Sequence, residues 1–232
     1  IAPFQAAGSH ELVTGASLTF GSTKGDGRGF DFDQSLTNYP SMPGAESVPV
    51  GDTRDFEDER TFFGLYAHDE WTPHARVTVS GGGRFDATNE SLEVGMTEGG
   101  LESEGATDEK STQAWSGDLG AVLRLAPSNV PALGALNLFG NWKSSFKPAA
   151  PNLTEAEAAE ILDPERTHSL EGGLKASALD DQLGLEASIF QMDFHNMVVS
   201  NLGPGGSIEL LNAGHERFKG WELSLNAAPA AI

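Results

Sequence analysis

Connection lengths alternate along this chain. Segments with strand periodicity are joined by a long polar stretch, then a tight turn, then a long stretch again. Residues 21–59 form a long connection, 72–75 (TPHA) a tight one and 89–111 a long one. Residues 126–134 are shorter, 147–164 long and 178–181 (ALDD) tight. A soluble sandwich has no reason to sort its loops in this way. An antiparallel meander crossing a bilayer does, because short turns face the periplasm and longer loops face the outside. The three long stretches are therefore expected at one end of the sheet and the three short ones at the other.

The strand-like segments have two faces. Between 168 and 177, His168, Leu170, Gly172, Leu174 and Ala176 alternate with Ser169, Glu171, Gly173, Lys175 and Ser177. Trp221, Leu223, Leu225 and Ala227 alternate with Glu222, Ser224 and Asn226, and Leu136, Leu138 and Trp142 with Asn137, Asn141 and Lys143. Side chains on a strand repeat with period two, so each segment has one apolar and one polar side. A large soluble antiparallel sheet would share that pattern; the loop asymmetry favours a barrel. In a barrel, Leu170, Leu174, Leu223 and Leu225 should meet lipid. Arg124, Glu171, Lys175 and Glu222 should line a wet interior. Phe62, Phe63, Trp71, Phe85, Trp115, Trp142, Phe146 and Trp221 fall near the expected strand ends, where interfacial girdles place aromatic rings.

Strands are expected over 11–20, 61–71, 76–88, 112–125, 136–146, 167–177, 182–200 and 218–227, with a short extended piece at 208–211. The 182–200 segment changes phase. Leu183, Leu185, Ala187 and Ile189 share one face, whereas Phe190, Met192 and Phe194 share the other, which suggests a bulge near Ile189 and Phe190 or a strand that extends beyond the bilayer. Thr154–Glu157 matches a capping box, and a short loop helix is expected over 155–162, ended by Pro164.

No run of about 18 apolar residues exists, so no transmembrane helix is expected, which leaves a barrel open. Cysteine is absent and the formal net charge is −20. The acids concentrate in the first two long connections: Asp26, Asp31, Asp33, Glu46, Asp52, Asp55, Glu57, Asp58 and Glu59, then Glu90, Glu93, Glu98, Glu102, Glu104, Asp108 and Glu109. Such a field repels nucleic acid and anionic membrane surfaces and is read as solvation of exposed loops; bridging by divalent cations, or steering of cationic ligands, is the functional alternative.

Signals for catalysis fail. No Gly-x-Ser-x-Gly occurs. His68, Asp69 and Glu70 are adjacent on one strand, so His68 and Asp69 face opposite ways and cannot converge. Asp31-Phe32-Asp33 and residues 55–59 match no calcium-loop spacing. Gly81, Gly82 and Gly83 lie inside a strand with no helix after them to cradle phosphate, and there permit curvature or close backbone approach. No enzyme activity and no cofactor are expected.

The stretch Gly64-Leu65-Tyr66-Ala67-His68-Asp69-Glu70-Trp71-Thr72-Pro73, followed by Gly83-Arg84-Phe85-Asp86, resembles TonB-dependent outer-membrane receptors. Their barrels carry a Y-x-Q-D-x-W strand, a turn and a strand ending G-x-R-Y-D. His68 stands where the family usually has Gln. Residues 139–153 are similar to the family's S-x-x-F-x-x-P strand and loop, and residues 162–175 to its L-x-P-E-x-S-x-x-x-E-x-G-x-K. Leu211-Asn212-Ala213-Gly214, with Gly220-Trp221-Glu222-Leu223, is similar to its N-A-G and G-x-E-L.

The resemblance implies an all-β fold, an antiparallel transmembrane meander of about eight or nine strands out of the 22 of a plugged receptor barrel. The 232 residues would form one barrel segment. It would be an internal piece of a longer protein, without the plug, the TonB box or the terminal aromatic strand. The parent would sit in the bacterial outer membrane among lipopolysaccharide and other lipids. It would import a ferric siderophore, or a similar small chelate or vitamin, with energy from the TonB complex acting through the plug. Phe146, Asn152 and Asn196, placed by the resemblance at the outer mouth, are the candidate ligand contacts: an aromatic and two amides can hold a chelate without adding negative charge. The competing architecture is a soluble acidic β-sandwich that binds calcium or carbohydrate; a general porin or a barrel enzyme is a third.

Overall fold

The computed structural model describes residues 2–5, 7–31, 48–98, 101–125, 133–148, 151–152, 159–202 and 208–228. Thirteen strands occur in chain order among them: β1 (Ala2–Gln5), β2 (Ser9–Asp31), β3 (Val48–His74), β4 (Val77–Glu98), β5 (Leu101–Leu125), β6 (Leu133–Lys147), β7 (Pro151–Asn152), β8 (Glu160–Ile161), β9 (Glu165–Ala178), β10 (Leu183–His195), β11 (Val198–Leu202), β12 (Ile208–Asn212) and β13 (His215–Ala227). Nine of them form one sheet in the order β1-β2-β3-β4-β5-β6-β9-β10-β13. Every pairing in it is antiparallel, so the sheet is a meander. The two remaining pairs, β7-β8 and β11-β12, sit within the β6–β9 and β10–β13 connections.

Antiparallel pairing puts the connections after β2, β4, β6 and β10 at one end, and those after β3, β5 and β9 at the other. This is the expected partition of long and tight links. The strands themselves run further than the periodicity suggested. β2 and β3 stay paired from Gly21↔Arg60 out to Asp31↔Val48, and β4 and β5 from Asn89↔Ser111 to Glu98↔Leu101. Much of what reads as loop is therefore hairpin. Polar, acidic residues extend as strands here because the ladder satisfies their backbone groups and both sides can be solvated.

Smaller expectations shift as well. The first tight turn is Ala75-Arg76, at the end of TPHA and one residue beyond it, after an irregularity between Trp71 and His74. The other spans residues 179–182, where Leu179, Asp180 and Asp181 all adopt positive φ. Aspartate tolerates the left-handed region better than leucine does. No bulge occurs at Ile189-Phe190: β10 pairs without a register shift on both sides from Leu183 to His195. The chain breaks instead at Asn196, with φ of 56°. The change of phase reflects where apolar residues are wanted, since Phe194 packs edge-on to Phe218, 5.6 Å between centroids, on the otherwise polar face. The capping box at 154–157 lies outside the described residues, and Glu160-Ile161, expected in the helix, is strand.

Register carries each face across the sheet. Leu138, Leu174, Ala187 and Leu223 are direct neighbours on β6, β9, β10 and β13. Leu119, Trp142 and Leu170 share a level two steps further towards the long connections, and Leu65, Phe85 and Trp115 continue the same side on β3, β4 and β5. This apolar surface is open: Trp115, Trp221 and Leu225 are 73%, 74% and 72% exposed. A soluble sandwich would cover it with a second sheet, and none is present among the described residues. The aromatics mark the ends of the apolar band rather than the ends of strands. Trp115, Trp142 and Trp221 lie at its long-connection margin and Trp71 at the other. Phe62, by register, lies on the polar face.

These faces make opposite demands. In the intact barrel, Leu223→Arg should cost about 2–4 kcal/mol at mid-bilayer depth. Ser224→Arg, on the polar side beside Glu186, should cost far less. Urea unfolding in vesicles checks the difference, and equal tolerance would contradict the assignment of faces.

Candidate functional site

The polar face is built from alternate residues of the sheet strands from β2 to β13. Small residues leave room there for large neighbours: Gly15 faces the Tyr66 ring, and a side chain at Gly82 would collide with His68. Arg84 donates from Nε to both carboxylate oxygens of Asp86, each at 2.8 Å, and from Nη2 to Ser17 Oγ at 3.3 Å. His68 Nδ1 lies 3.4 Å from Asp118 Oδ2, and Lys175 Nζ lies 2.7 Å from Glu186 Oε1. Tyr66, His68, Arg84, Asp118, Lys143 and Phe194 line a concavity of about 880 Å³. It offers cations, carboxylates, hydroxyls and aromatic faces together, which suits a large polar ligand held at many points.

Towards the long-connection end the same face turns apolar. Phe56, Leu92 and Val94 form a small core with Ile161, which reaches them from the β6–β9 connection. Charge-assisted bonds fix that contact. Lys110 Nζ donates to Ile161 O at 3.0 Å and to Asp163 Oδ1 at 2.6 Å, while Ile161 N donates to Asp108 Oδ2 at 2.6 Å. Residues 159–163 are thus folded onto the polar face as a cap. Beside it, Arg60 Nε donates to Asp58 Oδ2 at 2.7 Å, and Glu90 Oε1 lies 3.7 Å from Arg60 Nη1. Asp58 and Glu90 are 6% and 5% exposed, so these two acids are not the solvated loop residues the sequence suggests. Burial pushes the Glu90 carboxyl above its usual range, against the pull of Arg60.

The sequence-predicted contacts do not converge on one site. Asn152 is 1% exposed, and its Nδ2 donates to Glu160 Oε2 at 3.3 Å and to Leu210 O at 3.2 Å, tying two connections together. Asn196 donates from its backbone to Gly214 O at 2.6 Å, and its carbonyl accepts from Asn212 Nδ2 at 2.8 Å, closing the neck of the β11–β12 excursion. Phe146 pairs with Arg166 and shares the face of Trp142, away from the concavity. His68 and Asp69 point to opposite sides, as expected, and Asp69 Oδ2 lies 2.7 Å from His10 Nδ1. No group of three or more metal-ligating side chains occurs among the described residues. The cap escaped sequence reasoning because Lys110 and Asp108 meet Ile161 across about fifty positions, with no local signal.

Two outcomes follow from the cap and its acids. Lys110→Ala should loosen the hold on residues 160–163 by about 1.5–3 kcal/mol, the worth of hydrogen bonds to a charged group. Limited proteolysis on whole cells should then cut there faster. For Glu90 the folded pKa lies above the unfolded one, so its protonation favours the folded hairpin. That contribution is full below the ordinary carboxylate range and lost as pH rises through the folded value. Glu90→Gln should therefore slow amide exchange in the β4–β5 extension at pH 7, with the gain shrinking as pH falls towards about 4.

Several solved structures share the fold. The ferric yersiniabactin uptake receptor FyuA from Yersinia pestis superposes with a TM-score of 0.69 at 17% identity, covering 93% of this chain and 29% of that one. The ferric-catecholate import receptor Fiu from E. coli K12, in its closed form, gives 0.66 at 20% identity, covering 97% and 34%. The copper transporter OprC gives 0.62 at 19%, covering 96% and 33%. The chain thus spans about a third of the length of these proteins. The family model for the TonB-dependent receptor-like β-barrel matches residues 3–228. With its lipid-directed apolar face, charged inner wall and inward-folded cap, the chain belongs to the TonB-dependent receptor β-barrel family of the bacterial outer membrane.

Proposed function

We propose that this barrel segment forms part of the wall and cap of an importer for a ferric siderophore or a similar scarce chelate, driven by the TonB complex. The observation that carries it is the concavity of about 880 Å³ on the inner wall, where Arg84, His68 and Lys143 stand beside Tyr66 and Phe194. A chelate offers anionic or neutral oxygen atoms around a bulky, partly aromatic body, and cations with aromatic faces match both parts. Likeness to receptors named for ferric yersiniabactin and ferric catecholates supports an iron chelate. Likeness to one named for copper leaves the metal to experiment.

In this proposal Asn152 and Asn196 act by holding the cap connections in place, and Phe146 by packing at the outer rim. Direct contact falls to the inner-wall residues. Replacing residues 147–164 with a short Gly-Ser linker in the whole gene should preserve outer-membrane assembly. Uptake of the cognate chelate under iron limitation should fall about tenfold or more, equivalent to ~1.4 kcal/mol of binding. Unchanged uptake of every chelate tried would remove the cap from the site. Unchanged chelate and vitamin uptake after deletion of the whole gene would overturn the importer assignment.

A further inference from the structure

Beyond the bilayer, the acids on the two faces of the long hairpins have different surroundings. Glu59, Glu93 and Glu109 point outward and are exposed, whereas Asp58 and Glu90 point inward and are buried. Among the described residues, the segment packed on that inner side is 159–163, through Ile161 on Leu92 and Val94 and through its bonds to Asp108 and Lys110. Glu90 is paired in register with Arg60 on β3 and Lys110 on β5, and it is one inward position from Leu92. Such positions lie about 6.8 Å apart along a strand, so Glu90 borders the contact that the cap makes.

Four carboxylates and two cations meet there: Asp58 and Arg60 from β3, Glu90 from β4, Asp108 and Lys110 from β5, and Asp163 from the cap. Glu160, also on the cap, is exposed and accepts from Asn152. Fully ionised, the cluster carries more negative charge than positive. Its hydrogen bonds are shared unequally. Asp58 accepts from Arg60 Nε, Asp108 from the Ile161 amide and Asp163 from Lys110. Glu90 Oε1 lies 3.7 Å from Arg60 Nη1 and has no hydrogen-bond partner among the described residues, in a side chain that is 2% exposed. A buried carboxylate that no donor satisfies is costly, and the neutral acid is much less so. Burial accordingly pushes the Glu90 carboxyl above its usual range; Arg60 and Lys110 oppose the shift and Asp58 adds to it.

We propose that Glu90 is a proton-operated latch for the cap: as the neutral acid it lets residues 159–163 close on β4 and β5, and its ionisation shifts them towards release. The sign follows from linkage. Lifting the segment lets water reach Glu90 and returns it towards ordinary behaviour, so the closed form holds the proton more tightly and closing takes one up. Closure is therefore favoured as pH falls, and the effect saturates below the ordinary carboxylate range. Ionised Glu90 also attracts Lys110, its register neighbour, in competition with Asp163 and the Ile161 carbonyl. Both consequences act in the same direction. The latch belongs to the cap itself and is independent of what the barrel imports.

The test uses the full-length receptor purified from outer membranes into detergent, with folding checked by heat-modifiable gel mobility. Amide exchange of the peptide spanning 159–163 is followed by mass spectrometry between about pH 5 and pH 8. It is expressed as a protection factor, so that the intrinsic pH dependence of exchange divides out. Wild-type protection should fall severalfold from the acid end to the alkaline end. Glu90→Gln, a neutral isostere of the protonated acid, should hold the acid-end level across the whole range. Glu90→Ala should also give a flat profile. Glu93→Gln, outward on the same strand, should titrate as the wild type does. Wild-type protection that does not change with pH would overturn the proposal, as would a Glu90→Gln profile with the wild-type slope. A fall towards acid would overturn it too. That result would move the response to Asp108 and Asp163, whose protonation breaks their bonds to Ile161 and Lys110. If Glu90→Gln does not fold, Glu90→Ala carries the comparison, and a flat wild type decides against the latch without any variant.

Discussion

Backbone hydrogen bonding across a medium with no competing partners is the constraint from which the rest follows. A peptide group in hydrocarbon has only its neighbours to bond, so a spanning strand must be paired along its whole length. β10 illustrates this: from Leu183 to His195 it is paired with β9 on one side and β13 on the other, without a skipped residue. Once the ladder is continuous, side chains have only two directions. Leucine and tryptophan then go where lipid is, and Arg84, Asp118 and Lys143 where water is. The openness of Trp115 and Trp221 is thus a statement about solvent, in a fold that would be unstable if that face were in water.

The same ladder outlasts the bilayer, and its purpose changes when it does. Above the band, both faces of β2 to β5 are free to be polar, and much of their acid content sits there. The inner side departs from that rule at Phe56, Leu92 and Val94, where apolar residues gather to receive Ile161. This contact is small beside the sheet. It is held by one lysine, two aspartates and a few apolar side chains, so it is a low-stability element on a rigid support. Segments that must move for a ligand are drawn from that class. Burial of Asp58 and Glu90 around a single arginine belongs to the same arrangement and keeps it near balance.

Charge is organised by sector as well as by face. The inner wall mixes signs at close range, as in Arg84 with Asp86 and Lys175 with Glu186. The outward rim separates them, with acids on the long hairpins and cations on β9, β10 and β13. A net charge alone would describe neither arrangement.

Period two, loop asymmetry and four motifs in family order were enough for the sequence alone to determine the fold class, the meander and the direction of Leu170, Leu174, Leu223 and Leu225. These properties are local, since each follows from which way one side chain points relative to the next. The sequence misplaced the strand ends, because the acidic hairpin extensions lack the alternation that marks a half-buried strand. The candidate site was less legible. Asn152 and Asn196 were picked as ligand contacts, yet their amides tie connections together. The cap and the pairing of His68 with Asp118 join residues tens of positions apart. Only the register of neighbouring strands decides such contacts, because a shift of one residue in pairing would send every one of those side chains to the opposite face.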